Sequence, residues 1–384
     1  MKIGKLILVL SLIIISCKDE FFPDLDTFES SIVVNGLITN EEVPYMVKIS
    51  KSSPINNFAI NPYENCVVTI IENTGTTEIL KEIEPGKYVT SESGIKGIIG
   101  NEYSLSIFTP EGKEYHSDFQ ELKELVELDT VYAELVSLVD INYIYGLPGY
   151  QFYINTKAAA VRENYFLWSM TETFEYDIDY QLAYMEVYFP QHKFTYYNPS
   201  FDSTETCWRT QNVNYIFTGT TLKLSSPQIT HQPLHFVGTD TKKLTKRYSV
   251  LVQQYSIGEK AYNYWQSIEQ QSSNENLLVA SQPYTVRGNI ENINNEEEIV
   301  LGYFTVGSVS QERVFVDNPG KPFYYNTSIV ITDPVSIADF KKKYLPPYYW
   351  VQFDENTFGL IVKDCLDCRT VGGDLFKPEF WIDN

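Results

Sequence analysis

Five cysteines, four histidines and scattered carboxylates are the side chains in this 384-residue sequence best suited to do chemistry. The tightest spacing is Cys365-Leu366-Asp367-Cys368. A C-x-x-C can be a local disulfide, one half of a bridge to a distant cysteine such as Cys207, a redox motif, or half of a zinc site. A zinc ribbon needs a second C-x-x-C or a histidine pair; there is no second C-x-x-C, and the histidine pair at 231 and 235 is split by Pro233. A thioredoxin-type site opens a helix, and Gly372-Gly373 would break one here. The expectation is a structural disulfide, most simply Cys365–Cys368, with Cys207 as the alternative partner for either. Cys66 lies in the strand-like run 66–71 and reads as a small buried thiol.

The other candidates for chemistry are weaker. Besides His116 and His192, His231 and His235 have the i, i+4 spacing of a helical metal pair, but Pro233 lies between them. On a strand they would stand about 13 Å apart. Glu296-Glu297-Glu298 reads as a solvated hairpin tip without the spacing of a calcium loop. Glu172, Glu175 and Asp177 could form an acid and base pair, which in a retaining glycosidase stands about 5–5.5 Å apart. No G-x-S-x-G, phosphate-binding loop or H-E-x-x-H occurs. The sequence therefore predicts no catalytic residues, no metal and no cofactor, and the chain is expected not to be an enzyme.

Aromatic residues are the stronger signal. Residues 172–201 mix acids with Tyr176, Tyr180, Tyr184 and Tyr188, and a second cluster holds Tyr344, Tyr348, Tyr349 and Trp350. Aromatic side chains make large contacts at small entropic cost, which suits binding faces. Tyr176, Tyr180, Tyr184, Tyr188, Tyr348, Tyr349 and Trp350 are the candidate binding aromatics.

The start of the chain carries a different chemistry. Lys2 and Lys5 precede an apolar run from Leu6 to Ile15, too short for a transmembrane helix of about 20 residues. This is the layout of a secretory signal over residues 1–16. It ends in Ile14-Ile15-Ser16-Cys17, a lipobox in which the Cys17 thiol takes a lipid. Several acyl chains, at about 0.8 kcal/mol per buried CH₂, give stable membrane anchoring. Lys18-Asp19-Glu20 resembles the surface-export signal of Bacteroidetes lipoproteins, which places the body outside the outer membrane. A formal net charge of -21 would repel phosphate backbones, so nucleic acid is not an expected partner. An aromatic content of 15% argues against disorder despite that charge.

The elements that must position these residues read as mainly β. Residues 17–29 form a tether containing Pro23. Residues 30–120 show short strand-like runs separated by turns such as Asn73-Thr74-Gly75 and Pro85-Gly86, which predicts an immunoglobulin-like β-sandwich. A linker at 121–127 leads to a larger β-rich domain over 125–384, with strands expected at 150–155, 165–174, 214–217, 247–255, 284–290, 299–306 and 327–331. Two short helices interrupt it. Ser256 and Glu259 have capping-box spacing ahead of Ala261, Trp265 and Ile268. Asp333-Pro334 opens the second, whose apolar face is Ile337, Phe340 and Tyr344.

With these residues in view, nearly the whole mature chain resembles a family of Bacteroidetes outer-membrane lipoproteins catalogued as domain of unknown function forty-two forty-nine. The resemblance rests on Ile32-Val33-Val34-Asn35-Gly36, Gly86-Lys87-Tyr88 and Gly112-Lys113-Glu114-Tyr115, and more specifically on Cys207-Trp208, the run 248–256, Tyr264-Trp265, Val300-Leu301-Gly302-Tyr303-Phe304, Cys365-Leu366-Asp367-Cys368 with Gly372-Gly373, Lys377-Pro378 and Phe380-Trp381. The family often has a small residue where Cys66 stands. Its members are typically encoded beside TonB-dependent (SusC-like) outer-membrane receptors. The resemblance thus implies an accessory subunit of a nutrient receptor, binding or gating a peptide, glycan or other small cargo outside the barrel. A structural or adhesive cell-surface protein, and a surface hydrolase of glycan or peptide, are the alternatives. Asp129-Thr130-Val131 and Asp202-Ser203-Thr204 match a short O-glycosylation pattern of this bacterial group.

Overall fold

The computed structural model describes residues 30–42, 44–54, 60–180, 182–189, 192–196, 206–273, 285–323, 329–344, 347–352 and 357–383. Cys17, Lys18, Asp19, Glu20 and Ser203 lie outside them. The protein is mainly β, as its sequence predicts, with two α-helices among the described residues. No helix among the described residues is long and apolar enough to cross a membrane.

A ten-stranded sheet runs through the molecule. Along its main path the order is Thr206–Asn212, Tyr165–Asp177, Tyr248–Ile257, Leu301–Val316, Ile32–Ile38, Met46–Lys51, Lys87–Val89 and Lys81–Glu84, with Phe217–Thr220 also paired to Tyr165–Asp177 and Asn61–Pro62 to Met46–Lys51. Alternation explains the inner strands: successive side chains on a strand point to opposite faces, and Tyr165–Asp177 buries every second residue over most of its length. Ile32–Ile38 joins in parallel, Val33 opposite Leu301 through Ile38 opposite Val306. Parallel neighbours need a long crossover, and here most of the chain lies between the two strands. Gly302, at φ +87°, permits the approach, because a Cβ there would lie 2.0 Å from the Val34 carbonyl oxygen.

A six-stranded sheet faces the Ile32-bearing half of the large one. Val34, Val47, Ile49 and Tyr88 from one sheet meet Val68, Ile70, Leu105, Ile107 and Tyr115 from the other. Ile290, Val300, Phe304 and Val306 complete the same core, so it is not confined to residues 30–120. Cys66 is buried there, and burial pushes its thiol up to about 11.

The sequence reading misses the longest hairpin. Leu128–Asp140 pairs antiparallel with Tyr143–Thr156 over a short turn in which the Asn142 N–H donates to Asp140 Oδ1 at 2.7 Å. At its base the Leu128 N–H donates to Ser310 Oγ at 3.1 Å, and Val131 lies against Glu312. The hairpin therefore heads toward the Val316 end of Leu301–Val316, opposite the end where Ile32–Ile38 begins its pairing. A four-stranded sheet completes the fold, in the order His192–Tyr196, Leu182–Phe189, Tyr348–Gln352, Phe358–Ile361.

Two local expectations need correction. Ser256 does not cap the helix Glu259–Ser273. It belongs to the strand Tyr248–Ile257, and its Oγ accepts the Val126 N–H at 3.2 Å. The helix instead begins from the Gly258 carbonyl, which accepts the Tyr262 N–H at 3.0 Å. Glu298 is not a solvated tip residue: its carboxylate accepts from Lys113 Nζ, Tyr115 OH and Asn292 Nδ2 at 3.0, 2.7 and 2.7 Å. Glu296 and Glu297 are exposed. The Asp333 cap is present, accepting the N–H groups of Val335 and Ser336 at the start of Pro334–Lys343. That helix buries none of its side chains; Phe340 and Tyr344 stack at 4.5 Å instead.

Candidate functional site

Register assembles the candidate site on an edge of the large sheet. Thr206–Asn212 pairs with Tyr165–Asp177 so that Glu172 faces Gln211, Phe174 faces Arg209 and Tyr176 faces Cys207. The C-terminal segment folds over this edge. Trp208 and Asp374 exchange backbone hydrogen bonds at 2.8 and 2.6 Å. Two short 3-10 turns, Lys363–Cys365 and Cys368–Val371, bring the C-x-x-C alongside. Asp367 caps the second turn and grips Arg369 Nε and Nη2 at 2.7 and 2.8 Å, and Gly372 ends it at φ +85°.

The disulfide is Cys207–Cys368, not Cys365–Cys368. The turn sequence explains the correction. Cys368 opens the second turn with its side chain buried in the core, where the strand holds Cys207. Cys365, three residues earlier on a separate turn, stays a half-buried free thiol. The bridge pins a loop-forming segment to the sheet edge across 161 residues of sequence.

Between the turns and the sheet lies a cavity of about 370 Å³. Phe174, Tyr176 and Ile178 give it an apolar wall, Arg209, Lys242 and Lys243 supply cations, and Asp364 and Cys365 line the opposite side. Tyr176 is 7% exposed, and its hydroxyl has no hydrogen-bond partner among the described residues. Lys242 Nζ pairs with Asp179 at 2.6 Å. Lys243 Nζ pairs with Glu172 at 2.6 Å.

Glu172 is the electrostatic anchor behind this wall. Only 1% exposed, its carboxylate also accepts from Gln211 Nε2 at 2.5 Å and Tyr248 OH at 2.8 Å, and His235 Nε2 stands 3.8 Å away. Burial pushes its pKa up, but His235, Lys243 and Gln211 more than reverse this and bring it down to about 2. A hydrolytic general acid needs a raised pKa, the opposite of what is found. Glu175 and Asp177 face Lys246 Nζ at 3.5 and 2.7 Å. The carboxylates that the sequence offers as acid and base are thus committed to cations. His231 and His235 have separate partners, His231 on Tyr153 and Tyr132 and His235 beside Glu172. His231 stacks on Tyr153 at 4.0 Å with Nδ1 2.7 Å from Tyr132 OH, and no metal-binding cluster occurs among the described residues.

The structure joins parts of the two aromatic clusters elsewhere. Leu182–Phe189 pairs with Tyr348–Gln352, which stacks Tyr184 on Trp350 at 5.6 Å. Lys341 Nζ lies 5.0 Å from the Tyr348 ring centre and 5.2 Å from that of Trp350. Beneath them Glu186 is held by Lys193 and Lys341 at 2.6 and 2.8 Å, which overcome the effect of burial and lower its pKa. Tyr348 is buried, with its hydroxyl donating to the Lys341 and Tyr344 carbonyls. Tyr180 and Tyr349 pack on the small core around Leu182 and Val351. The Tyr188 side chain lies outside the described residues. Of the candidate aromatics whose side chains are described, only Tyr176 lines the cavity. Sequence reasoning missed Arg209, Gln211, Lys243 and Asp364; the same-face spacing of Arg209 and Gln211 and the Lys242-Lys243 pair were the available signals.

A third feature is the end of the long hairpin. Val139, Ile141, Ile144 and Tyr145 are 102%, 99%, 96% and 91% exposed. Such a contiguous apolar tip is uncommon on a surface with no partner. Thr130, at the other end, accepts a hydrogen bond from Asn155 Nδ2 at 2.7 Å.

Among known proteins, the family model described as a domain of unknown function, DUF4249, matches residues 18–313. No curated protein matches the chain.

Proposed function

Because the chain belongs to the DUF4249 family, and because its longest hairpin ends in a bare apolar tip, we propose that it is a lipid-anchored accessory subunit that docks on a TonB-dependent receptor at the outer face of the outer membrane, where it binds or gates a nutrient. Cys17 carries the lipid and Lys18-Asp19-Glu20 directs export. The exposed hairpin tip is the observation that carries the docking.

Burying Val139, Ile141, Ile144 and Tyr145 in a partner would yield about 1.5–3 kcal/mol each, before the costs of association. The formal charge of the chain, -21, favours a protein partner over an anionic leaflet, which would repel it.

Affinity purification from gently solubilised outer membranes tests the reading. A near-stoichiometric TonB-dependent barrel is expected with the wild-type chain, and its loss with the double variant Ile141→Asn, Ile144→Asn. Recovery of the wild-type protein alone would defeat the proposal and favour a structural or adhesive role.

A further inference from the structure

We infer that the cavity beside the Cys207–Cys368 disulfide is a binding site for a small zwitterion, a free amino acid or dipeptide with an apolar side chain. Its volume, about 370 Å³, lies at the small end of the range of about 300–1,000 Å³ typical of ligand pockets.

Two unused charges of opposite sign define the ligand. Lys242 and Lys243 each already face a carboxylate, of Asp179 and Glu172. Arg209 is half-buried in the same wall and makes no ion pair or side-chain hydrogen bond among the described residues, although a guanidinium offers five donors. Asp364 lines the cavity, is exposed, and likewise has no cation within 4.0 Å among the described residues. Arg209 and Asp364 therefore line one space without pairing with each other. A ligand carrying both a carboxylate and an ammonium satisfies both; a phosphate or a plain cation satisfies one and opposes the other.

The remaining lining fits the same ligand. The Tyr176 ring adds to the apolar wall, with its hydroxyl buried beside Gly373. Lys243 uses one of three ammonium donors on Glu172, and its ammonium makes no other hydrogen bond among the described residues. Phe174 and Ile178 supply the apolar surface for a side chain. Arg209 takes the carboxylate in the bidentate geometry that guanidinium favours, and Asp364 takes the ammonium.

Calorimetric titration of the full chain in detergent, with no receptor present, tests this separately from the docking proposal. The probes are L-phenylalanine and leucyl-phenylalanine, with N-acetylphenylalanine and phenylalanine amide as blocked forms. At least one free zwitterion is expected to bind, and each blocked form of phenylalanine to bind about tenfold or more weakly if the amino acid is the ligand. Arg209→Gln should abolish discrimination against the amide, and Asp364→Asn discrimination against the acetyl form. Asp364 is exposed, so its variant folds even if the Arg209 variant does not. Absence of binding by both free zwitterions, equal binding of the blocked forms, or wild-type discrimination in Asp364→Asn would overturn the assignment.

Discussion

Replacing Glu172 by Gln keeps the shape of the side chain and removes one buried charge. The carboxyl titrates near 4.5 when unfolded and at about 2 in the folded protein. A depressed folded-state pKa contributes stability that is fully present above about 4.5 and disappears as pH falls through about 2. The difference of about 2.5 units corresponds to about 3 kcal/mol at neutral pH. At pH 3 the unfolded carboxyl is almost fully protonated and the folded one still mostly charged, so the contribution has dropped to about half. Lys243, which keeps partial contact with solvent, limits the cost of losing its anion to the low end of the about 3–5 kcal/mol seen when a buried pair is broken. Urea unfolding of wild type and Glu172→Gln should therefore differ by about 3 kcal/mol at pH 7 and by about half that at pH 3. An equal difference at both pH values would show that the variant disturbs packing and that the buried charge contributes nothing.

Non-reducing peptide mapping should recover a linked pair containing Cys207 and Cys368, with alkylated Cys66 and Cys365; a Cys365–Cys368 peptide would contradict the fold at this edge. Cys207→Ser should cost about 2–4 kcal/mol in urea unfolding, whereas Cys365→Ser should change stability by less than about 0.5 kcal/mol. Thiol labelling should reach Cys365 before Cys66, whose burial raises its pKa to about 11. Gly302→Ala should destabilise by at least about 2 kcal/mol, because it sets a Cβ against the Val34 carbonyl at positive φ, while Gly320→Ala, at φ +62° with open space around it, should cost about 1 kcal/mol. Equal costs would show that the parallel pairing is not as close as described.

What the sequence made legible was local. The burial of Cys66, the Asp333-Pro334 helix start and the strand around Tyr165 all follow from neighbours within a few positions. What it hid was assembled from afar. Cys207 meets Cys368 because a strand and a turn converge across 161 residues, and no spacing rule specifies that pair. Arg209, Gln211 and Lys243 converge on one wall through strand register and a turn, so no single stretch of sequence carried the site. Ser256 had the spacing of a cap, but the ladder with Ser308 keeps it in a strand. The long hairpin escaped notice because its outer half exposes apolar residues where a half-buried strand would show polar ones. That departure from local rules is also why its tip is read as a contact surface.

The most direct test of that surface is site-specific photocrosslinking in intact cells, with the crosslinker at Ile141 and, as a control, at Val161, an exposed apolar residue away from the hairpin tip. An abundant adduct of Ile141 with a TonB-dependent outer-membrane barrel is expected, and none from Val161. Adducts from Ile141 with lipid alone, or no adduct, would contradict it.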